Sequence, residues 1–155
     1  MAEYSANAVQ IVNPGEVIVF TETPVPCLRN FVRHRDDSGN FLLSGWVPNR
    51  PGCSCQRSKA ANYLVDFGAN ISVPEGGAAG EISVAISIDG STVPASSMIV
   101  TPAAVNEYFN VSRAINVEVW NGCCETVTVR NTSDQAIQVQ NANIIFSRPD
   151  LAVTY

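Results

Sequence analysis

The sequence predicts an all-β protein, on three observations. Apolar and polar residues alternate with a period of two through the second half of the 155-residue chain. Helical periodicity is nearly absent, and turn sequences such as Asp89-Gly90 and Asn121-Gly122 follow the alternating segments. The segments are short, evenly spaced and not interleaved with helical ones. This pattern favours a jelly-roll β-sandwich of about nine or ten strands.

The strands of the second half are the clearest. The segment from Glu81 to Asp89 places Ile82, Val84, Ile86 and Ile88 on one face. Further strands are predicted at 61–73 with Tyr63, Val65 and Phe67 inward, at 115–119, at 126–130 with Val127 and Val129 inward, at 136–139 and at 143–146. Each ends in residues typical of turns, and Arg148-Pro149 ends the last one because proline cannot donate to a ladder.

The first half is less regular. Shorter strands are predicted at 9–12, 17–20, 31–35 and 41–46, and a helical turn is predicted within 101–110. The stretch 47–59 predicts an ordered loop and 74–80 a flexible one. The length suits a single domain. We therefore divide the chain into an N-terminal attachment segment with the first strand, 1–12, and one jelly-roll domain, 13–155.

Composition excludes several function classes. Charged residues make up 15% of the chain and the net charge is −5, whereas nucleic-acid binders carry a basic face, so no nucleic-acid partner is expected. No apolar run is long enough to span a bilayer, and the first residues do not resemble a secretory signal, so synthesis in a cytosol without a membrane partner is expected. Low charge is typical of a subunit that buries surface against copies of itself.

Residues that could carry catalysis are sparse. His34 is the only histidine and lies among charged residues, which favours a strand-surface histidine over a catalytic one. The carboxylates Asp66, Glu75, Glu81, Glu107, Glu118 and Glu125 are spread over strands and turns, with no pair singled out. Phosphate-loop and zinc-protease motifs are absent. The sequence thus predicts a protein that is not an enzyme and has no catalytic, cofactor or metal site.

The five cysteines are the most unusual feature: Cys27, Cys53, Cys55, Cys123 and Cys124. One interpretation is disulfides, either within the chain, where Cys53 or Cys55 would join the long loop to Cys27 or Cys123, or between subunits. A second is free buried thiols. A third is a zinc site, which the lack of a Cys-x-x-Cys pair disfavours. The odd number of cysteines counts against disulfides within the chain alone, because one thiol is left over. All three interpretations stay open.

Three segments resemble the trimeric jelly rolls of the tumour necrosis factor and complement globular-head superfamily. They are the aromatic-alternating strand Ala61–Gly68, the apolar strand and hairpin Ile82–Gly90, and the final strand Ala142–Ser147. The resemblance implies a homotrimer with the inner sheet of each protomer packed about a three-fold axis. Five aromatic residues are then expected in the core or at that axis: Tyr63, Phe67, Tyr108, Phe109 and Phe146.

A second resemblance concerns location. The run Ser97–Val111, with Gly122–Val129 and Val139–Ile145, is similar to short proteins of gut Firmicutes and their phages that resemble head-fibre or capsid-decoration proteins. It implies a structural protein on the virion surface, made in the host cytoplasm and attached to a capsid or other virion protein through the N-terminal segment.

The alternative is a head that binds a host glycan or surface protein. Such a site would use the loops 47–59 and 74–80 together with Trp46 and Trp120 at strand ends. Tryptophans in such places are more often lids over a core, because their average burial is high.

Overall fold

The computed structural model describes residues 1–48 and 59–151. In this part of the chain there are twelve strands and two three-residue 3-10 helices, at Pro94–Ser96 and Pro149–Leu151. The strands are β1 (Ala2–Ala6), β2 (Gln10–Val12), β3 (Glu22–Val25), β4 (Val32–His34), β5 (Phe41–Ser44), β6 (Ala60–Ser72), β7 (Ile82–Ile88), β8 (Ser91–Thr92), β9 (Met98–Val100), β10 (Phe109–Trp120), β11 (Cys124–Asn131) and β12 (Ile137–Ser147).

These strands form two antiparallel sheets. Sheet A has the order β10-β6-β12-β1-β3, with β2 beside β12, and sheet B has the order β4-β5-β11-β7-β8, with β9 beside β7. The inner faces of the two sheets pack together around a core of aliphatic and aromatic side chains. The predicted jelly-roll sandwich is confirmed.

The alternation that predicted the second-half strands is the alternation that fills the core. Ile82, Val84 and Ile86 of β7 are fully buried. The turn after β7 has positive φ at Asp89 (48°) and Gly90 (82°), the geometry of a two-residue hairpin. The Asp89 carboxylate then accepts a hydrogen bond from the Thr126 backbone N–H at 2.7 Å, so the hairpin is also fixed to β11.

The two strands predicted at 136–139 and 143–146 are one strand, β12. A bulge separates its halves, because the register with β6 shifts between Gln140 and Asn143, and Asn141 adopts φ 53° there. The first half of β12 pairs with β2 and the second with β1. The bulge therefore marks the point where β12 exchanges one neighbour for another.

The strand predicted at 17–20 is wrong, although its buried residues are right. Ile18 and Phe20 are fully buried, but Val17 and Phe20 form only isolated bridges, to Arg130 and Ser38. The neighbouring strand of this region is β3, which starts at Glu22. Ile18 and Phe20 are thus buried by a connecting segment that passes from sheet B to sheet A and forms single bridges in place of a continuous ladder.

The helical turn predicted within 101–110 is also wrong. The described backbone there makes non-helical turns, held by the Glu107 carboxylate, which accepts hydrogen bonds from the N–H groups of Ala103 at 2.7 Å and Ala104 at 3.2 Å. Asn106 has φ 59°, and its N–H donates to the Val73 carbonyl at 2.8 Å. The backbone N–H groups of this segment therefore donate to a side chain and to the residue that follows β6, and not to carbonyls one helical turn earlier.

The chain enters the sheet earlier than predicted. Residues 2–6 form β1, which lies between β12 and β3, while the segment predicted as the first strand is β2. Ala2, Tyr4 and Ala6 are buried in the core. Exposed residues of the predicted attachment segment are Met1 at one end of β1, residues 7–9 at the other, and Ile11 within β2; attachment itself stays a prediction.

A tyrosine hydroxyl joins the two sheets at one end of the sandwich. Tyr63 lies on β6 of sheet A, and its Oη lies 3.0 Å from the carbonyl oxygen of Phe31 and 2.5 Å from that of Ser44, both in the sheet B half. Burial raises the pKa of Tyr63, and the contacts with Arg148 and the Ser44 carbonyl oppose this only in part. The hydroxyl is thus a neutral donor shared by two buried carbonyls.

The guanidinium of Arg148, directly after β12, completes this end. Its side chain is 1% exposed and forms a two-point ion pair with Asp150, with Nη2–Oδ2 at 2.6 Å and Nε–Oδ1 at 2.8 Å. The same guanidinium donates to the Trp46 carbonyl at 3.2 Å and lies 4.8 Å from the ring centre of Tyr63. A buried cation is tolerated here because several groups satisfy it at once.

Replacing Tyr63 by phenylalanine is expected to destabilise the fold by about 1–3 kcal/mol, because two buried carbonyls and one guanidinium N–H lose a partner. Tyr108→Phe is the matched control: the Tyr108 hydroxyl bonds a Gln138 side chain near the surface, so its loss is expected to cost well under half as much. Urea unfolding followed by fluorescence measures both; equal losses would contradict the assigned role of Tyr63.

Candidate functional site

The three longest strands of the chain lie side by side in sheet A and expose one broad surface. β10, β6 and β12 have 12, 13 and 11 residues and pair in register over most of their length. We call their outward surface the amide face. It consists of Asn62, Leu64, Asp66, Gly68 and Asn70 of β6, Asn110, Ser112, Ala114, Asn116 and Glu118 of β10, and Gln138, Gln140, Asn143 and Ile145 of β12.

Amide side chains hydrogen-bond to one another across these strands. Asn110 Nδ2 donates to Asn70 Oδ1 at 3.1 Å, and Asn70 Nδ2 lies 3.5 Å from Oδ1 of Asn141 at the bulge. Asn143 Nδ2 donates to the Glu3 carboxylate on β1 at 2.6 Å. These bonds orient short polar side chains on a pleated sheet, so the face presents fixed donors and acceptors.

The charges on the amide face have one sign. Asp66 lies near its centre, between Ala114 on β10 and Ile145 on β12, and Glu118 lies opposite Asn62. No lysine or arginine belongs to the face. It is therefore a mostly neutral surface with two carboxylates and no basic residue.

The five predicted core or axis aromatics separate into two groups. Tyr63, Phe67 and Phe146 are at most 1% exposed and lie between the two sheets of one chain. Tyr108 is half-buried at the start of the amide face, and Phe109 is 36% exposed at the first residue of β10. The first group belongs to the monomer core; Tyr108 and Phe109 are the two that another molecule could contact.

The five cysteines are only partly described. Cys27 packs against the core, and its Sγ accepts a hydrogen bond from the Val32 N–H at 3.4 Å. Cys123 and Cys124 are exposed, and no disulfide joins any of these three cysteines to another within the described residues. Cys53 and Cys55, and with them most of the predicted loop 47–59, lie outside the described residues. The bridges proposed through those two stay a prediction.

The two tryptophans lie at the same end of the sandwich, and both are exposed, Trp46 at 57% and Trp120 at 56%. Backbone contacts connect their loops: the Gly45 N–H donates to the Cys123 carbonyl and the Cys123 N–H to the Trp120 carbonyl, each at 2.9 Å. A Cβ at Gly45 would overlap the Trp120 carbonyl, so only glycine fits there. We call this region the tryptophan end; the expectation that both rings are core lids is wrong.

The loop 74–80 does not share this end. β6 starts at the tryptophan end with Ala60, next to Trp120, and leads away to Ser72 just before that loop. A strand of this length spans about 40 Å. A site built from Trp46, Trp120 and the loop 74–80 together is therefore excluded by the topology.

His34 has a packing role. Its ring stacks on Phe41 at 4.6 Å between centres and contacts Tyr4 at 4.9 Å. Its Nε2 lies 3.0 Å from the Ser38 carbonyl oxygen, which can only accept, so Nε2 carries a proton. The arrangement orients the imidazole as part of the core edge.

Glu125 is the carboxylate whose ionisation the fold opposes. It lies half-buried at the tryptophan end, and burial raises its pKa, with the nearby Asp89 charge adding to the effect.

In the described part of the chain, no three His, Cys, Asp or Glu side chains gather as a metal site would require. Nor does any helix in the same residues have the length and apolarity to cross a bilayer.

Comparison with known proteins identifies the fold. No protein-family model and no curated protein matches the sequence. The globular domain of zebrafish complement 1qA is similar in structure, with a TM-score of 0.54 and 10% identity over 93% of this chain and 94% of that one. The chain is thus a jelly roll of the complement and tumour necrosis factor type. At this identity the similarity concerns the fold alone.

Two sugar-binding domains resemble the chain less closely. A family 35 carbohydrate-binding module from Clostridium thermocellum has a TM-score of 0.35 and 12% identity, over 89% of this chain and 98% of that one. The C-terminal domain of EclA, a sugar-binding protein, has a TM-score of 0.35 and 13% identity, over 79% and 86%.

Replacement of Glu125 by glutamine is expected to raise the melting temperature at pH 7. A raised pKa means that the folded state binds the proton more tightly than the unfolded state. Stability is therefore greatest below the ordinary value of 4.5 and falls as the pH rises through the raised pKa. The gain from Glu125→Gln should vanish near pH 3. Calorimetry at both pH values checks this. Glu81→Gln is the control, because Glu81 is exposed and lies at the end of β7 away from Asp89 and Glu125. A gain that is the same at both pH values would contradict the prediction.

Proposed function

We propose that this chain is a non-catalytic structural module that forms a homotrimer through its amide face and decorates the surface of a phage particle, as a capsid-decoration or head-fibre module. One observation carries the proposal: the amide face, built on the three longest described strands, contains no lysine or arginine. Protein surfaces that stay in water are usually rich in both.

The chemistry of the amide face suits burial against another copy. Asn, Ser, Gly and Ala lose less side-chain entropy than Lys or Arg when they are covered. Some of their polar atoms are already hydrogen-bonded to neighbours, as between Asn110 and Asn70. Exposed Leu64 (37%) and half-buried Ile145 supply apolar area next to them. Depletion of charged residues is typical of interface cores.

The virion location draws on the second resemblance and not on the fold. The run Ser97–Val111 that carries it contains β9, the non-helical turns around Asn106 and the start of β10. The partner in this proposal is a capsid or other virion protein that binds the N-terminal segment. Exposed residues 1 and 7–9 are the part of that segment outside the ladders.

The purified protein is expected to have three times the 16.6 kDa mass of the chain in light scattering after size exclusion. Ala114→Arg, which places a long cation on the amide face, is expected to give a folded monomer. Ser91→Arg, at an exposed position of β8 in sheet B, is the matched control and should stay trimeric. A wild-type monomer, or a trimer that Ala114→Arg leaves intact, would refute assembly through this face.

Mass spectrometry of purified phage particles tests the location separately. The protein should be present at a fixed copy number per particle and absent from particles stripped of surface proteins. Absence from intact particles would overturn the virion assignment and leave the trimer unaffected.

A second candidate function, binding of a host glycan, is favoured by the tryptophan end. Two exposed indole rings on backbone-linked loops lie at the same end of the sandwich as the carboxylates of Glu125 and Asp89, and aromatic faces combined with acceptors are suited to sugar rings. On a glycan array, Trp46→Ala or Trp120→Ala should lose at least tenfold in signal. Ile99→Ala, at another exposed apolar position (58%), is the control; no bound glycan at avid concentrations would remove this candidate.

A further inference from the structure

The loops at the tryptophan end combine exposed apolar side chains with basic ones. We infer that this end of the module docks on the surface of an anionic phospholipid bilayer, where Leu28, Trp46 and Trp120 enter the interface and Arg29 and Lys59 contact lipid phosphates. The inference depends neither on the trimer nor on the virion location, and it gives the tryptophan end a ligand other than a glycan.

The loop that carries Leu28 belongs to the same end as the two tryptophans. Leu28 lies three residues before Phe31, whose carbonyl accepts a hydrogen bond from the Ser44 N–H at 2.9 Å. Ser44 ends β5 directly before the loop of the first tryptophan, and it pairs with Cys124, which directly follows the loop of the second. Three loops from both sheets therefore lie together at this end.

Each of these loops exposes one large apolar side chain. Leu28 is 90% exposed, and both indoles are more than half exposed. Single exposed apolar residues are ordinary on a protein surface, but several on neighbouring loops mark a contact site. Sugar rings stack on indoles, whereas an aliphatic side chain such as Leu28 has no aromatic face to offer them. A bilayer suits all three, because indoles favour the headgroup region and leucine favours the acyl chains.

The charged side chains of the same loops are basic. Arg29 is exposed next to Leu28. Lys59 is also exposed, and its carbonyl accepts a hydrogen bond from the Asn121 N–H at 2.8 Å, which places it beside the second tryptophan. Neither Asp nor Glu occurs in the described residues of the three loops, 26–31, 45–48 and 120–123. Basic residues beside apolar ones that enter the interface attract anionic lipids.

Charge is distributed unevenly along the strands of the described chain. Five exposed carboxylates lie at the end opposite the tryptophans: Glu16, Glu75, Glu81, Glu107 and Asp134. Arg130 is the basic residue close to them, and its guanidinium donates to the Gly15 carbonyl at 2.9 Å. At the tryptophan end, Glu125 and Asp89 lie further from the loop tips, along β11 and at the β7–β8 turn. An anionic surface therefore attracts the tryptophan end and repels the opposite one, so the module is oriented end-on.

A contact of this kind needs no membrane-spanning segment. Protein that lies on a bilayer buries only a few side chains in the interface and keeps the rest in water. The inference thus differs from the expectation of no membrane partner, which was based on the lack of an apolar run long enough to span.

Binding to lipid vesicles tests the inference directly. Trp46 and Trp120 are the only tryptophans of the chain, so the emission of the unmodified protein reports whether they enter the interface. Vesicles of phosphatidylcholine with about one third phosphatidylglycerol should sediment the protein and shift its emission to shorter wavelength. Vesicles of phosphatidylcholine alone, or high salt, should weaken both effects, because salt screens the attraction.

Substitutions at the loop tips identify the residues in contact. Leu28→Asp is expected to lower the partition coefficient at least about tenfold, because an apolar side chain that enters the interface is lost. Arg29→Glu combined with Lys59→Glu should lower it by a similar factor and remove its salt dependence. The controls are Ile99→Asp, an exposed apolar position (58%) paired with Ser83 near the acidic end, and Arg33→Glu on β4. Circular dichroism melting establishes that each variant is folded.

The outcomes separate this inference from the proposed functions. A protein that neither sediments with the mixed vesicles nor changes its emission would overturn it, as would binding that Leu28→Asp leaves intact or that Ile99→Asp weakens equally. Equal binding to phosphatidylcholine alone would overturn the role of Arg29 and Lys59. A glycan-array signal without vesicle binding would assign the tryptophan end to a glycan. The mass in light scattering and the presence in phage particles are independent of all these results.

Discussion

The hydroxyl of Tyr63 connects the two sheets at the tryptophan end, and much of that end depends on it. It bonds carbonyls from two separate segments of the sheet B half, and the guanidinium of Arg148 covers its ring. Arg148 in turn holds the backbone at Trp46 and the turn that contains Asp150. Loss of one donor would leave several buried groups unsatisfied together, because a buried polar network is stable only when it is complete. The backbone that carries the exposed indole of Trp46 is therefore fixed by this buried network.

Sequence pattern predicted the strands in which large apolar residues alternate without interruption. It missed or divided the strands whose buried residues are small or whose alternation is broken by a bulge. β7 alternates large apolar and polar residues, and it was predicted with its buried face. β1 also alternates, but its buried positions include Ala2 and Ala6, which carry too little apolar surface to give a signal. β12 was predicted as two strands because the bulge at Asn141 interrupts the alternation. Such breaks are visible in sequence, but whether a strand ends or bulges there depends on its neighbours.

The candidate surface could be predicted only in part. Low overall charge indicated a covered surface, yet nothing in the linear sequence shows that residues as distant as Asn70, Asn110 and Asn141 share one hydrogen-bonded row. Their proximity comes from sheet order, which brings β10 and β12 to either side of β6. The tryptophans were placed at strand ends correctly. Their exposure was missed because it depends on how the loops that carry them are placed against each other, which the linear sequence does not show.

The position of β1 connects the proposed attachment with the proposed glycan site. Ala2 pairs with Phe146 close to the tryptophan end, so Met1 lies at that end, while residues 7–9 lie part-way along the sandwich, beside the bulge of β12. An anchor that grips Met1 would turn the tryptophans toward the particle and leave no room there for a host glycan. An anchor that grips residues 7–9 would hold the module by its side and leave the tryptophan end uncovered. The two proposed functions are compatible in the second orientation only, and in either one the amide face runs along the side of the module, where neighbouring copies can reach it.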